Sequence, residues 1–270
     1  HVALPFLILG AGFTGERVAR RLEAAGHAVL RTNSRNLPLP DVSLLRGLPG
    51  DDWTVLHSIP VIRTPEGPWE ATPLLVEALR GKARRVVYLS TTGVYGEARE
   101  VDETTPVQAR TPRETLRVDA ERAVDAGPWS SCILRPAAIY GPGRGAHVSI
   151  REGKWKIGGD GSNFVSRIHV DDLATHAVAA LTGELTGAWP VADEEPCTTL
   201  AITEFCCALL GLPLPPAVPA QSLDETRRAD RRVNGAAVRA RLGITLEYPS
   251  YRTGIPASFK KEEENDRSKI

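Results

Sequence analysis

Residues 6–15 read FLILGAGFTG, an apolar run followed by glycines at 10, 12 and 15. An apolar run leading directly into G-x-G-x-x-G, with helical spacing behind it, predicts a strand–turn–helix whose backbone holds a phosphate. Gly10 permits the tight turn, Gly12 lets the backbone approach a pyrophosphate, and Gly15 lets the helix pack close to the strand. Phe13 and Thr14 complete the turn, and the helix start offers unpaired N–H groups and positive dipole to the anion. The alternative is a glycine turn with no ligand.

Working outward, Val18, Leu22 and Ala25 follow helical spacing over 14–25, and Gly26 ends that helix. HAVLRTN (27–33), WTVLHSI (53–59), RRVVYLS (84–90) and SSCILRP (130–136) read as strands. A helix opens at Thr72–Pro73, and another at Thr111, with Pro112 at its first position and Glu114 completing a capping box. This alternation predicts an α/β fold, a Rossmann-type doubly wound parallel sheet. Beyond residue 140 the texture changes to glycine-rich and charged segments, a proline-rich connector at 212–220, and helices over 171–182, 199–211 and about 233–242. The expected organisation is a dinucleotide-binding domain (1–140 plus 165–185) and a smaller C-terminal substrate lobe (141–164 plus 186–259). The run KKEEENDRSKI (260–270) has almost no apolar content and reads as a disordered tail.

Composition narrows the function classes. Lys+Arg and Asp+Glu are both 33 in 270 residues, so no basic footprint for nucleic acid is visible. The densest basic run, TRRADRR (226–232), reads as a solvated turn or helix face. No window is apolar enough for a membrane span, and no secretory signal is apparent. The expectation is a soluble protein of a reducing compartment, cytoplasmic or inside an organelle after loss of a transit peptide. The four cysteines show no disulfide or metal-ligand spacing, so no metal is expected, and Cys132 reads as a small core hydrophobe.

The second strand decides which dinucleotide fits. An acidic residue at its end would bind an adenosine ribose diol, but this chain has LRTNSRN and no Asp or Glu before Asp41. Asn33, Ser34 and Arg35, with Arg31, could instead meet a 2′-phosphate, which tilts the expectation toward NADP over NAD. Strand ends on this side of the sheet line the ligand crevice, so Ser58, Ile59, Pro60 and Pro136 would border the cofactor.

With ILGAGFTG, VVYLSTTGVYG (86–96), ILRPAAIYGPGR (133–144), SRIHVDDLA (166–174) and RRVNGAAVRARLG (231–243) together, the chain resembles the extended short-chain dehydrogenase/reductase superfamily, the group of sugar-nucleotide epimerases and dehydratases. The resemblance implies an NAD(P) cofactor and a catalytic Ser or Thr, here Thr91, acting with a Tyr-x-x-x-Lys pair on the next helix. Counting back from Ala120–Glu121 puts Arg113 at the tyrosine position and Arg117 at the lysine position. There is no tyrosine between Tyr95 and Tyr140. An arginine remains protonated near neutrality and cannot exchange the proton a tyrosine would; Arg117 could still grip ribose hydroxyls. The resemblance places Thr92, Tyr95, Arg113, Tyr140, Arg144 and Arg167 around the substrate cleft. It makes His169 with Asp171 a structural hinge, in which Asp171 or Asp172 caps a helix. His57, at a strand end, is either a proton donor or a packed strand residue.

Two functions stay open. One is an atypical oxidoreductase or epimerase-like enzyme using Thr91 with a positioned water, or His57, on a sugar nucleotide or another small molecule. The other is a dinucleotide-binding redox sensor, or a subunit of a protein assembly, without turnover.

Overall fold

A computed structural model describes residues 5–270; positions 1–4, at the start of the first expected domain, lie outside the described residues. Six parallel strands form the central sheet: β1 (Phe6–Leu9), β2 (Val29–Arg31), β3 (Trp53–His57), β4 (Ala83–Leu89), β5 (Ser130–Pro136) and β6 (Gly187–Val191). Their spatial order is β6-β5-β4-β3-β1-β2. The order reverses between β1 and β3, and in open α/β sheets ligands bind outside the carboxyl ends of strands at such a reversal.

Alternation along the strands sends side chains to two cores. Leu7, Leu9, Val55 and Tyr88 face α2 (Thr72–Leu79) and α3 (Pro112–Asp125). Phe6, Ile8, Leu56 and Val87 face α1 (Gly15–Ala24), α4 (Val170–Thr182) and α6 (Ala236–Leu242). The sheet is therefore covered on both faces, as its near-continuous apolar strands require. Helix α3 starts as its sequence predicts, because Thr111 Oγ1 accepts from Glu114 N at 3.1 Å. Glu114 reaches back one residue further than a capping box would, accepting from Arg110 N at 3.0 Å.

A smaller lobe packs Tyr140, Ile150, Cys197 and Cys206 with α5 (Thr199–Leu210) and α7 (Tyr251–Ser268). The structure departs from the expected organisation in two places. Past the expected boundary at 186, β6 pairs with β5 in the central sheet, and α6 places Val238 in the core under α1 and α4. Where a tail was expected at 260–270, α7 is helical as far as Ser268. Tyr251, Ile255, Ser258 and Glu262 recur at helical spacing on its packed side. Glu262 accepts from His147 Nε2 at 2.6 Å and from Arg151 Nη2 at 2.7 Å, so this charged helix is held by ion pairs that composition does not reveal.

Candidate active site

The glycine loop leaves β1 with Gly10 at φ +87°, a region in which an L side chain is strained. A Cβ at Gly10 would meet the Ser58 carbonyl carbon and oxygen at 3.1 Å, so the ends of β1 and β3 touch through bare backbone. A Cβ at Gly15 would overlap the Gly10 carbonyl oxygen, which fixes how closely α1 sits on the turn. At Gly12 a Cβ would meet nothing within 4 Å. Two glycines thus shape the loop and the third keeps its outer side bare, which fits a dinucleotide pyrophosphate over the start of α1. Thr14 is buried and gives the helix no side-chain cap, leaving the first N–H groups of α1 without that partner. The Phe13 ring carries the Arg17 guanidinium at 4.6 Å and that of Arg144 at 5.4 Å, so the loop meets the 141–144 segment across the crevice.

At the adenosine end, Thr32 Oγ1 accepts from Gly10 N and donates to Ile8 O. Asn33 Oδ1 accepts from Arg35 N at 2.8 Å, ordering an exposed turn that presents Ser34 and Arg35. Arg31 is not free for a phosphate: it pairs with Glu16 at 2.8 Å and with Glu23. Ser58 donates its N–H to Leu9 O, Ile59 is buried against Gly10, and Pro60 is exposed. Pro136 ends β5, paired with Val191.

Thr91 follows β4. Its Oγ1 accepts from Gly93 N at 3.2 Å, which leaves the hydroxyl proton available to a ligand. Arg117 lies one helical turn beyond Arg113 on α3 and donates to Tyr88 Oη at 2.7 Å. Arg113 is exposed. Beneath them, Ser90 Oγ donates to Glu121 Oε2 at 2.6 Å, Arg135 pairs with Glu121 at 2.6 Å, and Arg135 Nη1 donates to Tyr95 Oη at 3.2 Å. Burial raises the Tyr95 phenol above its ordinary range, which suits a member of a buried network and not a proton donor.

Several expected cleft residues point elsewhere. Tyr140 is buried with its hydroxyl against Gly254 of α7, and Arg167 is buried with Nη1 toward Cys197 Sγ at 3.4 Å. Both belong to the interior of the lobe, because packing of α5 and α7 turns those positions inward. His57 is a packed residue: Nδ1 accepts from Ile59 N at 3.3 Å, Nε2 lies 2.8 Å from Thr72 Oγ1, and the ring stacks on Tyr88. Burial, with the Arg117 charge nearby, pushes its pKa down to about 3, so it stays a neutral imidazole near neutrality. At the start of α4 it is His169, not an aspartate, that caps the helix, accepting from Asp171 N at 3.0 Å. Asp172 instead receives Glu247 N and Tyr248 N at 2.8 and 2.9 Å.

One residue near this cleft escaped the sequence reading. Arg231, inside the run read as a solvated basic face, donates through Nη2 to Gly96 O at 2.6 Å and approaches Thr92 Oγ1 at 3.5 Å. Nothing in the sequence separates it from Arg227, Arg228 or Arg232; only the docking of the smaller lobe does.

A doubly wound parallel sheet with a bare glycine turn at its strand-order reversal defines a Rossmann protein of the dinucleotide-binding class. The chain belongs to the NAD-dependent epimerase/dehydratase family, whose model matches residues 68–188. A 3-diazoavenalumate denitrifying reductase of Streptomyces sp is 31% identical to it over 211 residues, covering 69% of this chain and 69% of that protein. A conserved protein of unknown function from Silicibacter pomeroyi DSS is 31% identical, with TM-score 0.77 over 97% of this chain and 100% of that one. MoeE5, solved with UDP-glucose and NAD, shares the fold at 23% identity, with TM-score 0.79 over 98% of this chain and 100% of its own. Among the described residues no helix is long and apolar enough to cross a membrane.

Proposed function

We propose that this chain is a reductase-type oxidoreductase that holds NADP(H) or NAD(H) on the 10–15 loop and a small-molecule substrate beside Thr91. In this reading arginines stand in place of the tyrosine–lysine acid–base pair, Arg117 held by Tyr88 and Arg113 exposed. The nicotinamide, when bound, supplies or accepts a hydride. The observation that carries the proposal is the Thr91 hydroxyl, which accepts from Gly93 N and keeps its own proton for a substrate oxygen or nitrogen at the carboxyl end of β4. Arg113 and Arg117 contribute positive charge where negative charge develops on the substrate, and do not transfer a proton. Any proton the product requires then comes from water. This division of labour suits substrates in which hydride displaces a leaving group, as the name of the diazo-removing relative suggests for that enzyme, because such a reaction asks for no acid. A sugar nucleotide, the ligand in the MoeE5 structure, is the second substrate class.

Ser34 and Arg35, exposed beyond β2 with no acidic residue before Asp41, favour NADP(H). Titration of NADPH and NADH by fluorescence tests the cofactor. Tighter NADPH binding that Arg35→Ala abolishes is expected; equal binding unaffected by that change would refute the preference. Single-turnover oxidation of bound NADPH against a panel of electrophiles, with Thr91→Val beside the native chain, tests the reaction. Loss of turnover with cofactor affinity retained supports the assignment of Thr91. No oxidation by any acceptor would favour the second reading, a dinucleotide sensor without turnover. That reading draws on the tying of Arg117 to Tyr88 and the locking of His57 in the core.

A further inference from the structure

Gly141, Pro142, Gly143 and Arg144 form a closed turn against the glycine loop. Gly141 N donates to Arg144 O at 2.9 Å, and Arg144 N donates to Gly141 O at 3.1 Å. Pro142 presets the second position of such a turn, and Gly143, at φ +83°, supplies the left-handed third position of a type II turn. The turn is supported on two sides. Glu262 of α7 accepts from Gly143 N. A Cβ at Gly141 would meet Phe13 Cζ at 3.2 Å, so turn and loop touch. Arg144, at the fourth position, is therefore carried on a closed backbone beside residues 10–15.

Two guanidiniums lie over the Phe13 ring, and only one of them is spent. Arg17 donates through Nη1 to Phe13 O at 2.7 Å and through Nε to Asp171 at 3.3 Å. Arg144, 5.4 Å from the ring centroid, has no hydrogen bond and no ion pair among the described residues. It is exposed, so a ligand can reach it. The surrounding protein pushes its pKa down, and no carboxylate acts against that shift. Carboxylates on the adjoining helices are committed: Asp171 to Arg17, Glu16 to Arg20 and Arg31, and Glu262 to His147 and Arg151. A cation set over a loop whose outer side is bare at Gly12, with no anion of its own, is complementary to a phosphate.

We infer that Arg144 grips the pyrophosphate of the dinucleotide, so that the smaller lobe holds the cofactor as well as the glycine loop does. The inference rests on the reading that a dinucleotide lies on the 10–15 loop. It transfers Arg144 from the substrate cleft, where the resemblance put it, to the cofactor. Backbone N–H groups at the start of α1 offer partial positive charge, and the guanidinium adds a full charge with a planar pair of donors. A sugar nucleotide carries a diphosphate of the same chemistry, so the test separates the two sources.

NADPH, titrated by fluorescence, and ADP, adenosine and UDP-glucose, titrated calorimetrically, are compared on the native chain and on Arg144→Met. The substitution should weaken NADPH and ADP about tenfold or more, the effect of losing a charge-assisted hydrogen bond, and leave adenosine unchanged. Arg144→Lys should keep part of the affinity, because a point charge remains without the planar fork. The salt dependence of ADP binding should flatten in Arg144→Met, since one screened contact is gone. A side chain that only shaped the turn would weaken adenosine along with the rest and leave the salt dependence as it was, which overturns the inference. Should Arg144→Met disturb the turn, Arg144→Gln makes the same comparison with a polar side chain. NADPH and ADP affinities that survive these changes remove the Arg144 contact alone and leave the loop assignment standing. A loss confined to UDP-glucose also overturns the inference, because it gives Arg144 to a substrate diphosphate. A native chain that binds neither NADPH nor ADP would remove the proposed function itself, and the inference with it.

Discussion

Replacing two glycines of the loop separately by alanine divides what the fold needs from what the ligand needs. In Gly15→Ala the new methyl would overlap the Gly10 carbonyl oxygen, a backbone atom that cannot swing aside, so α1 must shift against β1. Overpacking of this kind costs about 1–3 kcal/mol. For a chain this long each kcal/mol moves Tm by roughly 2–4 °C, so a fall of about 2–12 °C is expected without ligand. In Gly12→Ala the methyl meets nothing within 4 Å, and the apo protein should melt within about 2 °C of the native chain. The ligand response should reverse the ranking. NADPH at about 100 times its Kd should add roughly 2.7 kcal/mol to the native protein. Gly12→Ala should lose most of that gain, because its methyl occupies the bare surface assigned to the pyrophosphate. Differential scanning fluorimetry with and without NADPH reads both effects. A Gly12→Ala protein that keeps the full ligand shift, or melts as low without ligand as Gly15→Ala, would refute the assignment of the loop.

Acid should unfold the protein through its buried histidines. His57, His169 and His176 have pKa values pushed down by burial to about 3, 4 and 4, against an ordinary 6.5. Groups lowered in this way hold their stabilisation above pH 6.5 and lose it as pH falls toward 4, so denaturant midpoints should drop across that window and His57→Gln should lessen the drop. On the alkaline side, burial raises Asp193 from 3.8 to about 7, so its contribution is complete below pH 4 and is lost as pH rises through 7; Asp193→Asn should flatten that limb. Glu121→Ala strands the nearly buried Arg135 and should cost about 3–5 kcal/mol in urea unfolding, whereas Glu121→Leu with Arg135→Met should cost far less. Arg113→Tyr with Arg117→Lys restores a proton donor and should raise carbonyl reduction by about 100-fold in a coupled NADPH assay; no gain would show that the cleft lacks more than its acid.

The glycine loop, the apolar strands and the cap at Thr111 were readable because each is a local pattern: period, turn chemistry or helix start. The position of Thr91 after a strand end was readable because its motif follows that strand directly. Tyr140 and Arg167 were misplaced because a motif gives the position of a residue along the chain but not the face on which a later helix covers it. Arg231 was invisible for the opposite reason. Its run has the composition of a solvated surface, and its burial depends on Gly96 and Thr92, more than 130 residues earlier. The helix at 251–268 was lost to composition, since four packed positions outweigh a charged majority only when their partners are known.

That helix has a consequence for how the molecule opens. Glu262 takes hydrogen bonds from His147 and Arg151, the two ends of the segment that follows the cleft loop. Ser258 lies 3.3 Å from His169 Nε2 at the head of α4. The cleft loop and the end of α7 are therefore not separate mobile edges but one cooperative opening unit. Their amides should exchange with solvent at a shared rate, so any ligand that settles into the cleft slows exchange at the far end of the chain as well.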